Sequence, residues 1–216
     1  MRRTSQQRRT GVAAALLAGM LAVSAACSGP ILRTDPPPTP PPVGVSEANR
    51  SIAPRTSPLS VGGRVPAFEL MDQNSVPVSA GELMTGGRGS LLLFLPADGD
   101  AAARPAYDWA RRNMSFLRQQ RIELVLVVPH GVEDNARLAQ REELRLAVLA
   151  DPHGWVMRGF GVVPQGAAAP RSPHAMLIAS DGRVHLSEAG LPSPSDAVVA
   201  AETRPGQQRD SIFQLF

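Results

Sequence analysis

Two apolar runs dominate the pattern of hydrophobic and polar positions in the middle of the chain. Residues 91–95 read LLLFL and residues 122–128 read IELVLVV, and each run is closed by a proline, Pro96 or Pro129. Apolar runs of this length are typical of strands that are covered on both faces of a sheet. We therefore predict two central strands with helices on both sides of the sheet.

Weaker patterns on either side of these runs predict the other elements. Apolar residues at helical spacing predict a long helix over residues 102–120. Residues 65–70 alternate like a short edge strand, and residues 76–78 are its expected partner. The remaining predictions are helices over residues 133–144, 154–160 and 195–201 and strands over residues 146–149, 175–179 and 183–186. Together they define an α/β fold with one mixed sheet.

The loop between the first central strand and the long helix is the predicted functional region. Open α/β sheets bind ligands at the carboxyl ends of their strands. This loop runs from Pro96 to Pro105 and contains Asp98, Asp100 and Arg104, but no cysteine, serine or histidine. The sequence thus predicts where a site lies and supplies no evident nucleophile for it.

The amino-terminal segment has the parts of an export signal. Residues 1–10 contain arginines and no acid, residues 11–22 are apolar, and small residues lead up to Cys27. The segment resembles a bacterial lipoprotein signal, which implies cleavage before Cys27 and lipid on its sulfur. We predict a signal peptide over residues 1–26. The alternatives are an ordinary cleaved signal and an uncleaved anchor, although the apolar run is short for a membrane span.

Residues 27–60 are predicted to be a tether between the lipid and the folded domain. They include DPPPTPPP at residues 35–42, a sequence that favours the extended polyproline II conformation over helices and strand ladders. A stiff spacer is the simpler interpretation of this stretch. A proline-rich ligand for a partner protein is the alternative.

Charge and cysteine content exclude several classes of function. The net charge of +3 comes from Arg2, Arg3, Arg8 and Arg9 in the predicted signal, so no basic stripe indicates binding to nucleic acid. The only cysteine is Cys27, which excludes an intrachain disulfide and a cysteine-ligated metal site. No nucleotide-binding glycine loop or G-x-S-x-G motif occurs, and we predict no cofactor.

Four short strings stand out in the second part of the chain. GRVPAFEL begins at Gly63, LLFLP ends at Pro96, LADP ends at Pro152 and is followed by FGV, and SPHAMLI precedes the turn DGRV. Their order and spacing resemble the alkyl hydroperoxide reductase and thiol-specific antioxidant family, the redoxin branch of the thioredoxin fold. The resemblance implies one thioredoxin-like domain over residues 61–203, with Pro173 as the cis-proline of the fold.

The same resemblance places an alanine where the family carries its reactive cysteine. Counting from Pro96 along the family's P-x-x-x-T-x-x-C motif puts Asp100 at the threonine and Ala103 at the cysteine. The C-x-x-C motif of thioredoxins is absent too. Peroxide reduction and disulfide exchange both require a thiolate, which alanine cannot supply. We therefore predict a degenerate site formed by Asp100, Ala103, Arg104 and Pro173.

Two carboxylates and two histidines are predicted at the same edge of the sheet, namely Asp98, Asp100, His130 and His174. Such a set can bind a metal ion or perform acid–base chemistry. Their spacing is not diagnostic, so exposed loop residues are the simpler interpretation. A redoxin-type oxidoreductase that works through a metal is the second functional hypothesis. His185 is expected to be an exposed strand residue.

Two surfaces are candidates for binding a partner. One is the predicted site, at Pro173 and His174. The other is the tail, residues 204–216, whose apolar residues are Ile212, Phe213, Leu215 and Phe216. The tail either folds back onto the domain or docks onto a partner.

The first functional hypothesis is a lipid-anchored, extracytoplasmic accessory protein that binds another envelope protein. A spacer domain without a specific ligand is the third.

Overall fold

The computed structural model describes residues 47–85, 87–97, 101–164, 166–167 and 169–203, which form a mixed sheet flanked by helices. The strands are β1 (Glu69–Met71), β2 (Pro77–Ser79), β3 (Gly89–Phe94), β4 (Ile122–Val128), β5 (Ala147–Ala150), β6 (His174–Ala179) and β7 (Val184–Ala189). The helices are α1 (Glu47–Arg50), α2 (Ala80–Thr85), α3 (Arg104–Gln119), α4 (Val132–Arg141), α5 (Trp155–Gly159) and α6 (Pro194–Glu202). The order of the strands is β2-β1-β5-β4-β3-β6-β7. The predicted α/β fold is confirmed.

The two apolar runs form the centre of this sheet. β3 pairs in parallel with β4 on one side and antiparallel with β6 on the other. Because β3 has no polar face, its alternate side chains enter two separate cores. Leu91 and Leu93 belong to the core under α3, α4 and α6, whereas Leu92 and Phe94 belong to the core under α2 and α5. The sheet therefore needs a helical layer on each face.

The folded part of the chain begins before the predicted boundary at residue 61. Residues 47–60, which we call the strap, run along α5. Leu59 is buried, and its N–H donates to the carbonyl of Phe160 at 3.0 Å. Ile52 packs against the same core. The prediction that residues 27–60 form a tether is therefore wrong for the strap. Backbone hydrogen bonds hold this polar segment in place, and such bonds leave no apolar periodicity in the sequence.

Two side-chain amides reinforce the joint between β1 and β5, where the backbone ladder pairs only Met71 with Ala150. Asn49 of α1 is 2% exposed, and its amide donates to the carbonyl of Glu69 at 2.6 Å and accepts the N–H of Glu69 at 3.0 Å. Gln73 bonds in a similar way at the start of β5: its amide donates to the carbonyl of Leu146, the residue before the strand, at 3.0 Å and accepts the N–H of Val148 at 2.8 Å. Each amide satisfies one backbone N–H and one backbone carbonyl, and the pair of bonds from Asn49 ties the strap to β1.

The helix α2 was not among the predicted elements, although its start carries a readable signal. Ser79 and Glu82 form a capping box: the Glu82 carboxylate accepts the N–H and the hydroxyl of Ser79 at 2.7 and 3.0 Å. In return, the Glu82 N–H donates to the Ser79 hydroxyl oxygen at 3.2 Å. The pattern Ser-x-x-Glu is the sequence signature of such a cap.

The prediction that His185 is an exposed strand residue is wrong. The side chain is 6% exposed, with Nδ1 lying 3.0 Å from the carbonyl oxygen of Ala200 in α6 and Nε2 lying 3.3 Å from the Asp181 carboxylate. The ladder between β6 and β7 shifts register between Leu177 and Ile178. Such an irregularity re-aims a side chain and interrupts the alternation on which the prediction depended.

Replacing Asn49 with alanine tests whether the strap is part of the fold. The change removes both hydrogen bonds to Glu69 and leaves two partly buried backbone groups without them. We expect the free energy of unfolding to fall by about 2 kcal/mol, measured by denaturant unfolding of the full-length protein. Asn74→Ala is the matched control, because it removes only one exposed hydrogen bond, from the Asn74 side-chain amide to the Asp72 carboxylate. Equal midpoints for the two variants would show that the hydrogen bonds of Asn49 contribute nothing to stability.

Candidate functional site

Three chain segments meet at the carboxyl edge of the central strands. The chain leaves β3 through Leu95, whose N–H donates to the carbonyl of Val127 in β4 at 3.0 Å. His174, the first residue of β6, pairs with Phe94 across the other side of β3. The segments after β3 and β4 and the segment before β6 therefore lie at one edge of the sheet. We call residues 96–97, 101–104 and 173–174 the site edge.

The helix α3 begins at the site edge without a capping side chain. Ala103 is its N-cap residue, is 1% exposed, and accepts the N–H groups of Ala106 and Tyr107 at 3.0 and 3.3 Å. The first turn contains Arg104 but no acid, so no carboxylate in that turn balances the positive end of the helix dipole. A helix amino terminus lowers the pKa of a nearby thiol. At this place the chain has a methyl group, which carries no proton to lose.

Pro173 and His174 form the opposite side of the site edge. Pro173 is buried, and its carbonyl accepts the N–H of Gly190 at 2.8 Å. His174 is half-buried, with Nε2 lying 3.2 Å from the hydroxyl oxygen of Ser187 on β7. Burial lowers the pKa of His174 below its ordinary value of 6.5, so the neutral imidazole predominates at neutral pH. The site edge thus offers small apolar groups beside one polar ring.

The structure describes two of the four residues that were predicted to bind a metal ion. His130 follows β4 and His174 opens β6, so they lie at the same edge on the two sides of β3. Asp98 and Asp100 lie outside the described residues. Within the described ranges, no three histidine, cysteine, aspartate or glutamate side chains are placed to hold a metal ion together. The four-residue set stays a prediction.

The other predicted functional residues lie outside the part of the chain that the structure describes. These are Cys27 and the four apolar residues of the tail, Ile212, Phe213, Leu215 and Phe216. Among the helices that the structure does describe, none is long and apolar enough to cross a membrane.

Asp151 is a buried carboxyl group to which the sequence patterns assigned no role. It follows β5, is 3% exposed, and accepts the N–H groups of Trp155 and Met157 at 2.9 Å each. Asp151 thereby accepts hydrogen bonds from the first turn of α5. The N-cap residue of that helix, Gly154, has no side chain that could accept them. The sequence feature that could have indicated this contact is an aspartate four residues before the helix, in the string DPHGW.

The environment of Asp151 also changes its protonation. Burial raises the pKa of Asp151 above its ordinary value of 3.8, although the hydrogen bonds from Met157 and Trp155 act in the opposite direction. The desolvation of the charged carboxylate therefore outweighs its hydrogen bonds.

Several solved structures share this architecture. Peroxidoxin BcpB from Mycobacterium tuberculosis is 23% identical, with a TM-score of 0.57 over 67% of this chain and 97% of that chain. The thiol:disulfide interchange protein DsbE from Chlorobium tepidum is 20% identical, with a TM-score of 0.55 over 67% and 99%. AhpC from Enterococcus faecalis is 19% identical, with a TM-score of 0.57 over 71% and 95%. At such identities these similarities define a thioredoxin-like fold and nothing more specific.

The sequence comparison is more specific than the fold. Residues 61–187 match the model of the AhpC/TSA family. Because the match spans more than half of the chain, the protein belongs to the AhpC/TSA family, as the short strings indicated. A comparison with curated proteins finds no significant match. The segment that matches the family contains no cysteine, since Cys27 precedes it.

We expect the difference in stability between the wild type and Asp151→Asn to depend on pH. A raised pKa means that the folded protein binds the proton more tightly than the unfolded chain does. The contribution of Asp151 to the free energy of unfolding should therefore fall as the pH rises from 3.8 through the raised pKa. Asparagine does not titrate, so the variant lacks this pH-dependent contribution to stability. Denaturant unfolding over a pH series should show that the advantage of the wild type shrinks as the pH rises.

Asp134→Asn is the matched control, for which the pH dependence of the stability difference should have the opposite sign. The hydrogen bond from Arg137 lowers the pKa of the exposed Asp134 carboxyl group, so its contribution to stability is lost as the pH falls. An advantage of the wild type over Asp151→Asn that grows between about pH 4 and pH 7 would contradict the account of Asp151.

Proposed function

We propose that this protein is a lipid-anchored, extracytoplasmic redoxin domain that binds another envelope protein instead of reducing peroxides or disulfides. The observation that carries the proposal is the lack of cysteine in residues 61–187, the segment that matches the AhpC/TSA family. Both reactions of such folds proceed through a thiolate. The chain's one cysteine, Cys27, lies before the strap and the domain, at the expected site of lipidation.

Ala103 supports a non-catalytic role. The resemblance places it at the position of the reactive cysteine, where the start of α3 would favour the thiolate form of a thiol. Its buried methyl group neither ionises nor forms a mixed disulfide. The domain therefore retains the setting for thiol activation without a group to activate.

The site edge is the surface that we assign to the partner. Ala97 and Ala101 are exposed and small, so their own backbone groups are open to an approaching segment. Arg104 is exposed beside them, and the half-buried ring of His174 provides a neutral hydrogen-bonding group. A surface of this composition suits recognition of a polypeptide by its backbone and one or two polar side chains.

The anchor follows from the sequence before the strap. A positive segment, an apolar segment and small residues precede Cys27, which supports lipidation there. Because the strap belongs to the fold, only residues 28–46 separate the lipid from the domain. An extended chain of this length reaches about 60 Å, so the domain would stay near the membrane surface.

Peroxide turnover tests the non-catalytic claim. The full-length protein, supplied with a thiol reductant and hydrogen peroxide, should consume no more peroxide than the Cys27→Ser variant does. Turnover that depends on Cys27 would contradict the proposal, because it would make that residue catalytic. Turnover that survives Cys27→Ser and is lost on chelation would favour the metal-dependent alternative at Asp98, Asp100, His130 and His174.

A gain-of-function variant tests the position of Ala103. In a Cys27→Ser background, Ala103→Cys places the only thiol at the N-cap of α3, where the helix start should hold its pKa below that of an equally buried thiol further along the helix. We expect peroxide to oxidise it on the order of tenfold faster than Ala106→Cys, since thiolate is the reactive form. Ala106 is equally buried in the same helix but lies one turn further along. Equal rates would show that this helix start does not activate a thiol.

A further inference from the structure

The sheet ends in two edge strands, β2 on one side and β7 on the other. An edge strand presents backbone N–H and C=O groups that can bond to a strand of another chain. In an antiparallel ladder, every second residue directs both of its backbone groups away from the neighbouring strand. Whether an edge can accept a further strand therefore depends on what these outward groups already bond to.

The outward donors of β2 are blocked. Asp72 donates its N–H to the carbonyl of Val76 at 2.9 Å, next to the first ladder pair between β1 and β2. Alternation from that bond directs the backbone groups of Pro77 and Ser79 outward. A proline has no N–H, and the N–H of Ser79 donates to the Glu82 carboxylate at 2.7 Å. This edge of the sheet is therefore closed to a further strand.

The first part of β7 is covered by residues 62–65. The carbonyl of Val184 accepts the N–H of Gly62 at 2.7 Å, and the N–H of Val184 donates to the carbonyl of Gly63 at 2.9 Å. The N–H of Val65 donates to the carbonyl of Gly182, in the turn before the strand, at 3.0 Å. The chain thus protects the beginning of its second edge with its own backbone.

The end of β7 is open. Gly190 donates its N–H to the carbonyl of Pro173 at 2.8 Å, in the register of the ladder between β6 and β7. Alternation from this bond directs Glu188 toward β6 and the backbone groups of Ser187 and Ala189 outward. No residue that the structure describes bonds to these outward groups. We call Ser187, Glu188 and Ala189 the open edge.

The open edge adjoins the site edge. His174 is paired with Ala189 across the ladder, and its Nε2 lies 3.2 Å from the hydroxyl oxygen of Ser187. Glu188 is opposite Ala175, which belongs to the core under α3, α4 and α6, so its carboxylate is on that face. Glu188 is exposed and forms no ion pair with the described residues. The charge of the open edge is therefore an uncompensated carboxylate.

This carboxylate disfavours a second copy of the chain as the occupant. Two copies related by a twofold axis would pair their open edges antiparallel. The register that uses all the outward groups puts Glu188 directly opposite the Glu188 of the second copy. Like charges at directly opposite positions destabilise a ladder, whereas opposite charges stabilise it. A strand with a basic residue at that position fits the open edge better.

We infer that an extended segment of the envelope partner adds to the open edge as a further strand and places a basic residue opposite Glu188. The inference rests on the proposed function, because it specifies how the partner is bound beside the site edge. Backbone hydrogen bonds to Ser187 and Ala189 supply affinity, and the pairing with Glu188 fixes the register.

Nuclear magnetic resonance of the full-length, isotope-labelled protein in detergent tests this inference. The probe is a blocked peptide of alternating threonine and valine with a lysine at its centre. The amide signals of Ser187 and Ala189 should shift on addition of this peptide, while those of β2 should stay unchanged. The same peptide with a central glutamate should bind about fivefold more weakly, and Glu188→Arg should reverse the preference.

Ala189→Pro tests the backbone contribution. The change removes an outward N–H and leaves the bonds between β6 and β7 in place, since edge strands tolerate proline at such positions. We expect the affinity for the lysine peptide to fall on the order of tenfold. If this variant does not fold, the charge reversal at Glu188 still decides.

Three contrary results would overturn the inference. The first is a peptide that shifts no signal of the open edge or shifts β2 equally, and the second is equal affinity of the wild type for the two peptides. The third is protection of the Ser187 and Ala189 amides from hydrogen exchange without peptide. Protection that disappears on dilution would assign the open edge to a second copy, and protection that persists would assign it to another segment of the same chain.

Purification from native membranes separates this inference from the proposed function. Glu188→Arg should lose the partner that the wild type retains. A partner that remains bound to Glu188→Arg and to Ala189→Pro would overturn the inference and leave the proposed function intact. A wild type that purifies without a partner would overturn both.

Discussion

The structure depends on the burial of β3 on both of its faces. Leu91, Leu92, Leu93 and Phe94 are each fully buried, and they alternate between the two cores. A strand without a polar face is stable only when both sides of the sheet are covered. Right-handed crossovers put α3 and α4 on one side, and α2, α5 and the strap cover the other. The same connections bring the carboxyl ends of β3, β4 and β5 to one edge, where the site edge lies.

Elements with strong periodicity were predicted closely, whereas those held by individual hydrogen bonds were not. The run at residues 122–128 coincides with β4, and the predicted helix over residues 102–120 encloses α3. The strap was missed because its docking depends on the amide of Asn49 and on backbone bonds to the end of α5, neither of which produces a local pattern. His185 was misplaced because a register shift interrupts the alternation of β7.

The location of the candidate site could be predicted from the sequence. About its chemistry, the sequence indicated mainly that the reactive cysteine is missing. Short local strings indicated the family, and the lack of a cysteine near Ala103 is visible in the letters alone. The role of Asp151 was not visible, because it depends on which backbone N–H groups point at its carboxylate. A partner is recognised through complementarity with a second molecule, and one chain holds only half of that information.

Purification of the full-length protein from its native membranes in mild detergent would show whether it has a lipid anchor and a partner protein. Mass spectrometry would identify the proteins that accompany it and the mass of the peptide that contains Cys27. We expect a stoichiometric partner and a diacylglyceryl group on Cys27. A protein that purifies alone, with an unmodified cysteine, would contradict this expectation.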